Sequence, residues 1–116
     1  MSVVLVVDDE PAMGKLVELS LADLGPKVIQ ARNGREALEL ARSESPNLVL
    51  LDLALDGEDG LALLPHLKAV REGMPCIVFT VHDSRASEAK RSGAAGFVAK
   101  PFRSETLRKV VQKHLS

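Results

Sequence analysis

At 116 residues and 12.5 kDa the chain is the size of one ordinary domain, and residues 1–116 are expected to fold as a single unit around one core. A hydrophobic share of 46% against 27% charge, with no apolar run near the ~18 residues a bilayer requires, excludes a membrane segment from the expectation; one cysteine, Cys76, excludes an internal disulfide and fits a reducing cytoplasm. Net charge is −1, which offers nucleic acid no global attraction, yet residues 1–83 sum to −7 and residues 84–116 to +6. That excess reads either as solvated helices or as a basic surface facing a partner.

Short apolar runs alternate with stretches of helical period, the pattern of βαβ units around a parallel sheet buried on both faces. The first strand is expected at Val3–Val7. A helix follows from near Pro11, with an aspartate ahead of it to cap, and Met13, Leu16, Val17, Ser20 and Leu24 form its inward stripe before Gly25-Pro26 stops it. Lys27–Ala31 is the second strand, and Asn33-Gly34 opens a second helix with Ala37, Leu38 and Ala41 inward, ending before Pro46. The third strand is Leu48–Leu51. The third helix, Gly60 to Val70, buries Leu61, Leu64 and Leu67, and Pro65 predicts an irregular start to it. Cys76–Thr80 is the fourth strand. The fourth helix, Ser84 to Ser92, has only Ala86 and Ala89 to turn inward and is expected to be the least anchored element. Gly96–Ala99 and a helix from Ser104 to Leu115, with Leu107, Val110, Val111 and His114 inward, complete five pairs.

Ligands of a parallel sheet bind beyond the carboxyl ends of its strands. Four of the five ends carry a functional group: Asp8-Asp9 after the first, Asp52 after the third, Thr80 on the fourth, and Lys100 after the fifth. Adjacent carboxylates on a strand point to opposite faces, which is tolerable only where the strand is ending, so Asp8 and Asp9 belong on the rim. With Asp52 at ~5 Å, each like-charged pair costs roughly 3 kcal/mol at an effective dielectric near 20, and a cation is needed to relieve the cluster. A hard, oxygen-seeking ion, Mg²⁺ above all with Mn²⁺ as substitute, suits one or two carboxylates plus a phosphate. No Cys/His cluster calls for zinc. A carboxylate beside a metal and a lysine can act as a nucleophile toward phosphorus, and Asp52, Lys100 and Thr80 fit the roles of nucleophile, ammonium and hydroxyl.

Taken in order, Val6-Val7-Asp8-Asp9-Glu10-Pro11, Asn33-Gly34-Arg35-Glu36-Ala37-Leu38, Asp52-Leu53, Asp59-Gly60, Thr80 and Lys100-Pro101-Phe102 resemble the receiver domains of bacterial two-component response regulators over essentially the whole chain. The resemblance implies a flavodoxin-like, doubly wound (βα)5 fold with strand order 2-1-3-4-5. It implies that Asp52 is the phosphoacceptor and that Asp9, Asp8, Asp52 and the backbone carbonyl of Ala54 hold Mg²⁺, Asp8 largely through water. Thr80 and Phe97 take the family's switch positions. The implied partners are a sensor histidine kinase or histidine phosphotransfer protein, and a protein target on the face of the fourth helix, fifth strand and fifth helix. Direct contact with nucleic acid or membrane is not expected, and the chain should be a signalling module rather than a turnover enzyme, a monomer or weak dimer in the cytoplasm.

Three departures stand out. Asp56 occupies a position where the family commonly has proline, which predicts a more mobile loop over Ala54–Asp59. Val81 is bulkier than the usual alanine or glycine, and His82 and Ala54 sit where the family tunes dephosphorylation. Two rivals fit less well. A haloacid-dehalogenase-type phosphohydrolase carries its nucleophile in an Asp-x-Asp motif on the first strand, whereas Asp8-Asp9 are adjacent and Asp52 stands alone on the third. A flavodoxin would set its phosphate against Asp8, Asp9 and Glu10, with no Trp or Tyr to stack on the flavin.

Overall fold

A computed structural model of the chain describes residues 2–115. Five apolar runs form the strands β1 (Val3–Val7), β2 (Lys27–Ala31), β3 (Leu48–Leu51), β4 (Cys76–Thr80) and β5 (Gly96–Ala99), with the bounds read from the sequence. All pair in parallel, in the order 2-1-3-4-5. Because side chains alternate along a strand, the sheet has two separate cores. Leu5, Val7, Val49, Leu51 and Val78 face the helices α2 (Gly34–Glu44), α3 (Gly60–Val70) and α4 (Ala86–Arg91). Val4, Val6, Leu48, Leu50, Ile77 and Phe79 face α1 (Met13–Ser20) and α5 (Ser104–Leu115). The winding reverses between β1 and β3, and there the ladder pairs Val7 with Leu51. The next residues, Asp8 and Asp52, therefore emerge side by side, with the Asp52 N–H donating to Val7 O at 2.9 Å.

The helices depart from expectation at particular points. α1 begins at Met13 rather than near Pro11, and no side chain of its own caps it, because its N-cap residue is Ala12, which has no acceptor; Asp8 Oδ1 instead accepts from the Glu10 N–H in a turn. Its inward stripe is Met13, Val17, Ser20 and Leu21; Leu16, expected inside, is 47% exposed, and Leu24 lies in a separate 3-10 turn, Ala22–Leu24. Asn33 caps α2 by accepting from the Glu36 N–H, as its type favours. The start of α3 is regular despite Pro65, since Asp59 Oδ1 accepts from the Leu61 N–H and the proline falls past the first turn on the exposed side. The fourth helix is shorter than expected: a 3-10 turn at Asp83–Arg85 precedes six α-helical residues, of which Ala89 alone is buried. Cys76 is buried and unpaired, and burial pushes its thiol up to about 11.

Candidate functional site

Carboxylate oxygens of Asp8, Asp9 and Asp52 lie within 4.8 Å of one another at the β1–β3 end of the sheet, as the strand-end argument requires. Asp8 is buried at the end of β1 and Asp52 at the end of β3, while Asp9 is half-buried at the mouth. Three oxygen-bearing acids and no nitrogen or sulfur donor are what a hard divalent cation that retains part of its water accepts, so the residues present fit Mg²⁺ or Mn²⁺.

The repulsion within this cluster is already partly answered from inside the protein. Lys100, following β5, donates from Nζ to Asp8 Oδ2 and, at 3.1 Å, to Asp52 Oδ2. The same ammonium stands 4.5 Å above the ring of Phe79, which itself packs against Phe102. Part of the relief the cluster needs thus comes from a cation of the chain's own. Burial pushes the Asp8 carboxyl above its usual range, with the hydrogen bonds from Lys100 and the Glu10 N–H pulling the other way. For Lys100 burial favours the neutral amine, but the hydrogen bonds and charges of Asp8 and Asp52 outweigh it and hold the ammonium above its ordinary value.

Thr80 ends β4 fully buried, its Oγ1 accepting from the His82 N–H at 3.3 Å. The Lys100 N–H donates to Thr80 O at 2.9 Å, so lysine and threonine are fixed relative to one another by backbone. Ala54 is exposed, and its N–H donates to Asp52 Oδ1 at 3.2 Å, while the Leu53 carbonyl of the same peptide accepts from the Gly60 N–H at 2.8 Å. Phe97 is not in the cluster. It lies half-buried on β5, on the α4 side of the sheet, and lines a groove with Ala86, Ala89, Lys90 and Ala94. Val81 and His82 are exposed just beyond Thr80.

The loop after Asp52 contains regular structure. Ala54–Leu55 and Glu58–Asp59 pair as a small antiparallel hairpin turning at Gly57, whose φ of 73° suits glycine. Glu58 Oε1 accepts from the Gly34 N–H, fastening the hairpin to α2. Gly60 brings α3 against the end of β3 so closely that a Cβ there would lie 2.1 Å from Asp52 O. Three supports went unnoticed in the sequence: Gln30, which reaches the Asp8–Asp9 loop from β2; Phe79, beneath Lys100; and the pairing of Arg85 with Asp59 at 2.9 and 3.0 Å. Gln30 alone left a trace, a polar residue inside a strand.

A family model described as the response regulator receiver domain matches residues 4–112. The chain is 41% identical over 114 residues to the positive alginate biosynthesis regulatory protein of Pseudomonas aeruginosa, covering 95% of this chain but 46% of that protein. It is 34% identical to sporulation initiation phosphotransferase F of Bacillus subtilis, covering 97% of this chain and 92% of the relative. In structure it is similar to the receiver domain of NtrX from Brucella abortus, with a TM-score of 0.88 at 36% identity and 97% of both chains covered.

Proposed function

Because the chain belongs to the response-regulator receiver family and is a signalling module of two-component systems, we propose that it takes a phosphoryl group from a phosphohistidine partner onto Asp52 and changes a partner-binding face in response. The observation carrying this reading is the buried Asp52 carboxylate at the end of β3, touched by Lys100 and within 4.8 Å of Asp8 and Asp9.

In that transfer a carboxylate oxygen of Asp52 forms a bond to phosphorus as the P–N bond to the donor imidazole breaks, and the imidazole departs with a proton. Gly60 and the Ala54 N–H hold the acceptor in place. Lys100 moves from carboxylate to phosphoryl oxygen without leaving the site, its ammonium meeting charge that develops there. Asp9, Asp8, Asp52 and the Ala54 carbonyl would hold Mg²⁺, which supplies charge neutralisation at the phosphoryl oxygens. The buried Thr80 hydroxyl, released from the His82 N–H, turns to the phosphorylated Asp52, and Phe97 with α4 takes up the space vacated. Whether the chain also promotes loss of its own phosphoryl group falls to Ala54 and His82, the second residues after Asp52 and after Thr80.

A histidine kinase or phosphotransfer protein is the donor. The resemblance to a phosphotransferase across 92% of that relative supports a relay role, with residues 1–116 acting as one receiver domain. The target meets α4, β5 and α5, where Lys90, Arg91, Arg108 and Lys109, with Arg85 just before α4, call for an acidic protein surface rather than nucleic acid. We place the protein in the cytoplasm as a monomer or weak dimer; among the described residues no helix is long and apolar enough to cross a membrane. The phosphohydrolase reading draws no support from the comparisons. Incubation with acetyl phosphate should give acid-labile, hydroxylamine-sensitive label on the wild-type chain and none on Asp52→Asn, and a panel of radiolabelled histidine kinases then identifies the donor. Label retained by Asp52→Asn would move the acceptor elsewhere.

A further inference from the structure

The side chain of Gln30 is the one polar group that β2 sends across to the acidic loop. Its Nε2 donates to Asp8 O at 2.8 Å and to Glu10 O at 2.7 Å, and its Oε1 accepts from the Gly14 N–H at 2.7 Å. A carboxamide has two N–H donors and a carbonyl acceptor, so this set uses both donors and fixes which end is nitrogen. The two carbonyls gripped are those on either side of Asp9. The amide accepted belongs to the first turn of α1, an orphan donor that the helix, lacking a side-chain cap of its own, cannot otherwise satisfy. One side chain therefore closes a bracket running from the end of β1 through Asp9 into α1.

Asp9 needs that bracket. Asp8 is held by the Glu10 N–H and Lys100, and Asp52 by the Ala54 N–H and Lys100, whereas no described hydrogen bond is made by the Asp9 carboxylate. Its direction is set by its backbone alone. Space at the bracket is as tight as its bonding: a Cβ on Gly14 would stand 2.6 Å from Gln30 Oε1. Glycine at position 14, which costs helix stability, is thereby explained as room for the carboxamide.

We propose that Gln30 is the positioning residue for the cation site, orienting Asp9 through the carbonyls of Asp8 and Glu10, with Gly14 as its obligatory neighbour. The inference rests on the reading that Asp8, Asp9 and Asp52 bind a divalent cation. Outer partners of metal ligands commonly govern affinity without touching the ion.

Two variants reach the bracket from opposite sides: Gln30→Met keeps length and removes every hydrogen bond, and Gly14→Ala leaves Gln30 in place but evicts its carboxamide. Mg²⁺ alone is titrated calorimetrically into the full chain at a temperature where each variant is folded, so that Kd reports the site and not the folded fraction. Both variants should bind Mg²⁺ about tenfold more weakly than wild type. Val111→Ala, a core substitution under α5, should lower the melting temperature and leave Kd within about twofold, which separates positioning from general destabilisation. Wild-type affinity in Gln30→Met and Gly14→Ala overturns the proposal. If wild type itself takes up no Mg²⁺, the cation reading falls instead, and hydrogen exchange at Gly14 then decides the bracket: faster exchange in Gln30→Met sustains it, and unchanged exchange overturns it.

Discussion

α3 and α4 lie on the same face of the sheet and are held by different forces. α3 runs eleven residues and buries Leu61, Leu63, Leu64 and Leu67. α4 runs six and buries Ala89. At roughly 2 kcal/mol for each buried leucine and under 1 kcal/mol for an alanine methyl, the two attachments differ several-fold. α3 carries Gly60 against Asp52, where displacement would disturb the proposed acceptor; α4 lies beside Phe97 and the groove, where displacement is what the proposed switch needs. Under the proposed function, hydrophobic burial fixes the chemistry and its scarcity frees the readout.

The largest test of this contrast is a pair of truncations. Leu64→Ala opens a cavity in a fully buried site and should cost about 3 kcal/mol, or roughly 12 °C of melting temperature. Ala89→Gly should cost a little under about 2 kcal/mol, the helix-propensity difference plus one methyl, and act through local opening of α4. Equal losses in a thermal melt would erase the distinction.

The acidic rim should show an intermediate effect, of opposite sign. Asp9→Asn removes one like charge from the cluster; because Asp9 is half-exposed and Lys100 already offsets part of the repulsion, metal-free stability should rise by about 1 kcal/mol rather than the 3 of an unscreened pair. Wild type in Mg²⁺ at ten times its Kd should gain about 1.4 kcal/mol and the variant almost none. A variant that melts lower without metal, or gains as much from Mg²⁺, contradicts the assignment of Asp9.

What the sequence made legible follows the same division. Strand bounds were readable because a parallel strand buried on both faces is an unbroken apolar run, and Asp8, Asp52, Thr80 and Lys100 were readable because each closes or follows one. Helix starts were less so. Pro11 and a preceding aspartate signal a cap, but the helix starts later, behind Ala12, and Asp8 turns instead to the Glu10 N–H and to a lysine 92 residues away. Leu16 sits at helical spacing from Met13 and Ser20 yet faces outward, since α1 is only eight residues long and Leu21 takes the inward place. Gln30 and the Asp59–Arg85 pair were hidden for one reason: hydrogen bonds between polar groups 16 to 26 residues apart leave no periodic mark.

The smallest expected effect concerns that pair. Asp59 caps α3 and also receives both guanidinium nitrogens of Arg85, the residue before α4, while Arg85 Nε donates to Glu88. The firmly packed helix thereby tethers the loosely packed one by charge. Both partners are solvent-screened, so Arg85→Ala should change global stability by less than about 1 kcal/mol. Locally the effect should be plain, with faster hydrogen exchange over residues 83–91 and no change over α3, whose cap from Asp59 remains. The Arg85 guanidinium beside it, against a smaller opposing effect of burial, holds the Asp59 carboxyl below its ordinary 3.8. For a depressed carboxyl the contribution is fully present above the unfolded value and is lost as pH falls through the folded one. Wild-type protection of residues 83–91 should therefore be flat above pH ~4 and drop below it, toward the level of Arg85→Ala, and should weaken with added salt at neutral pH. Protection that ignores both salt and the Arg85 substitution would mean that α4 is held by packing after all, and the contrast with α3 would be one of degree only.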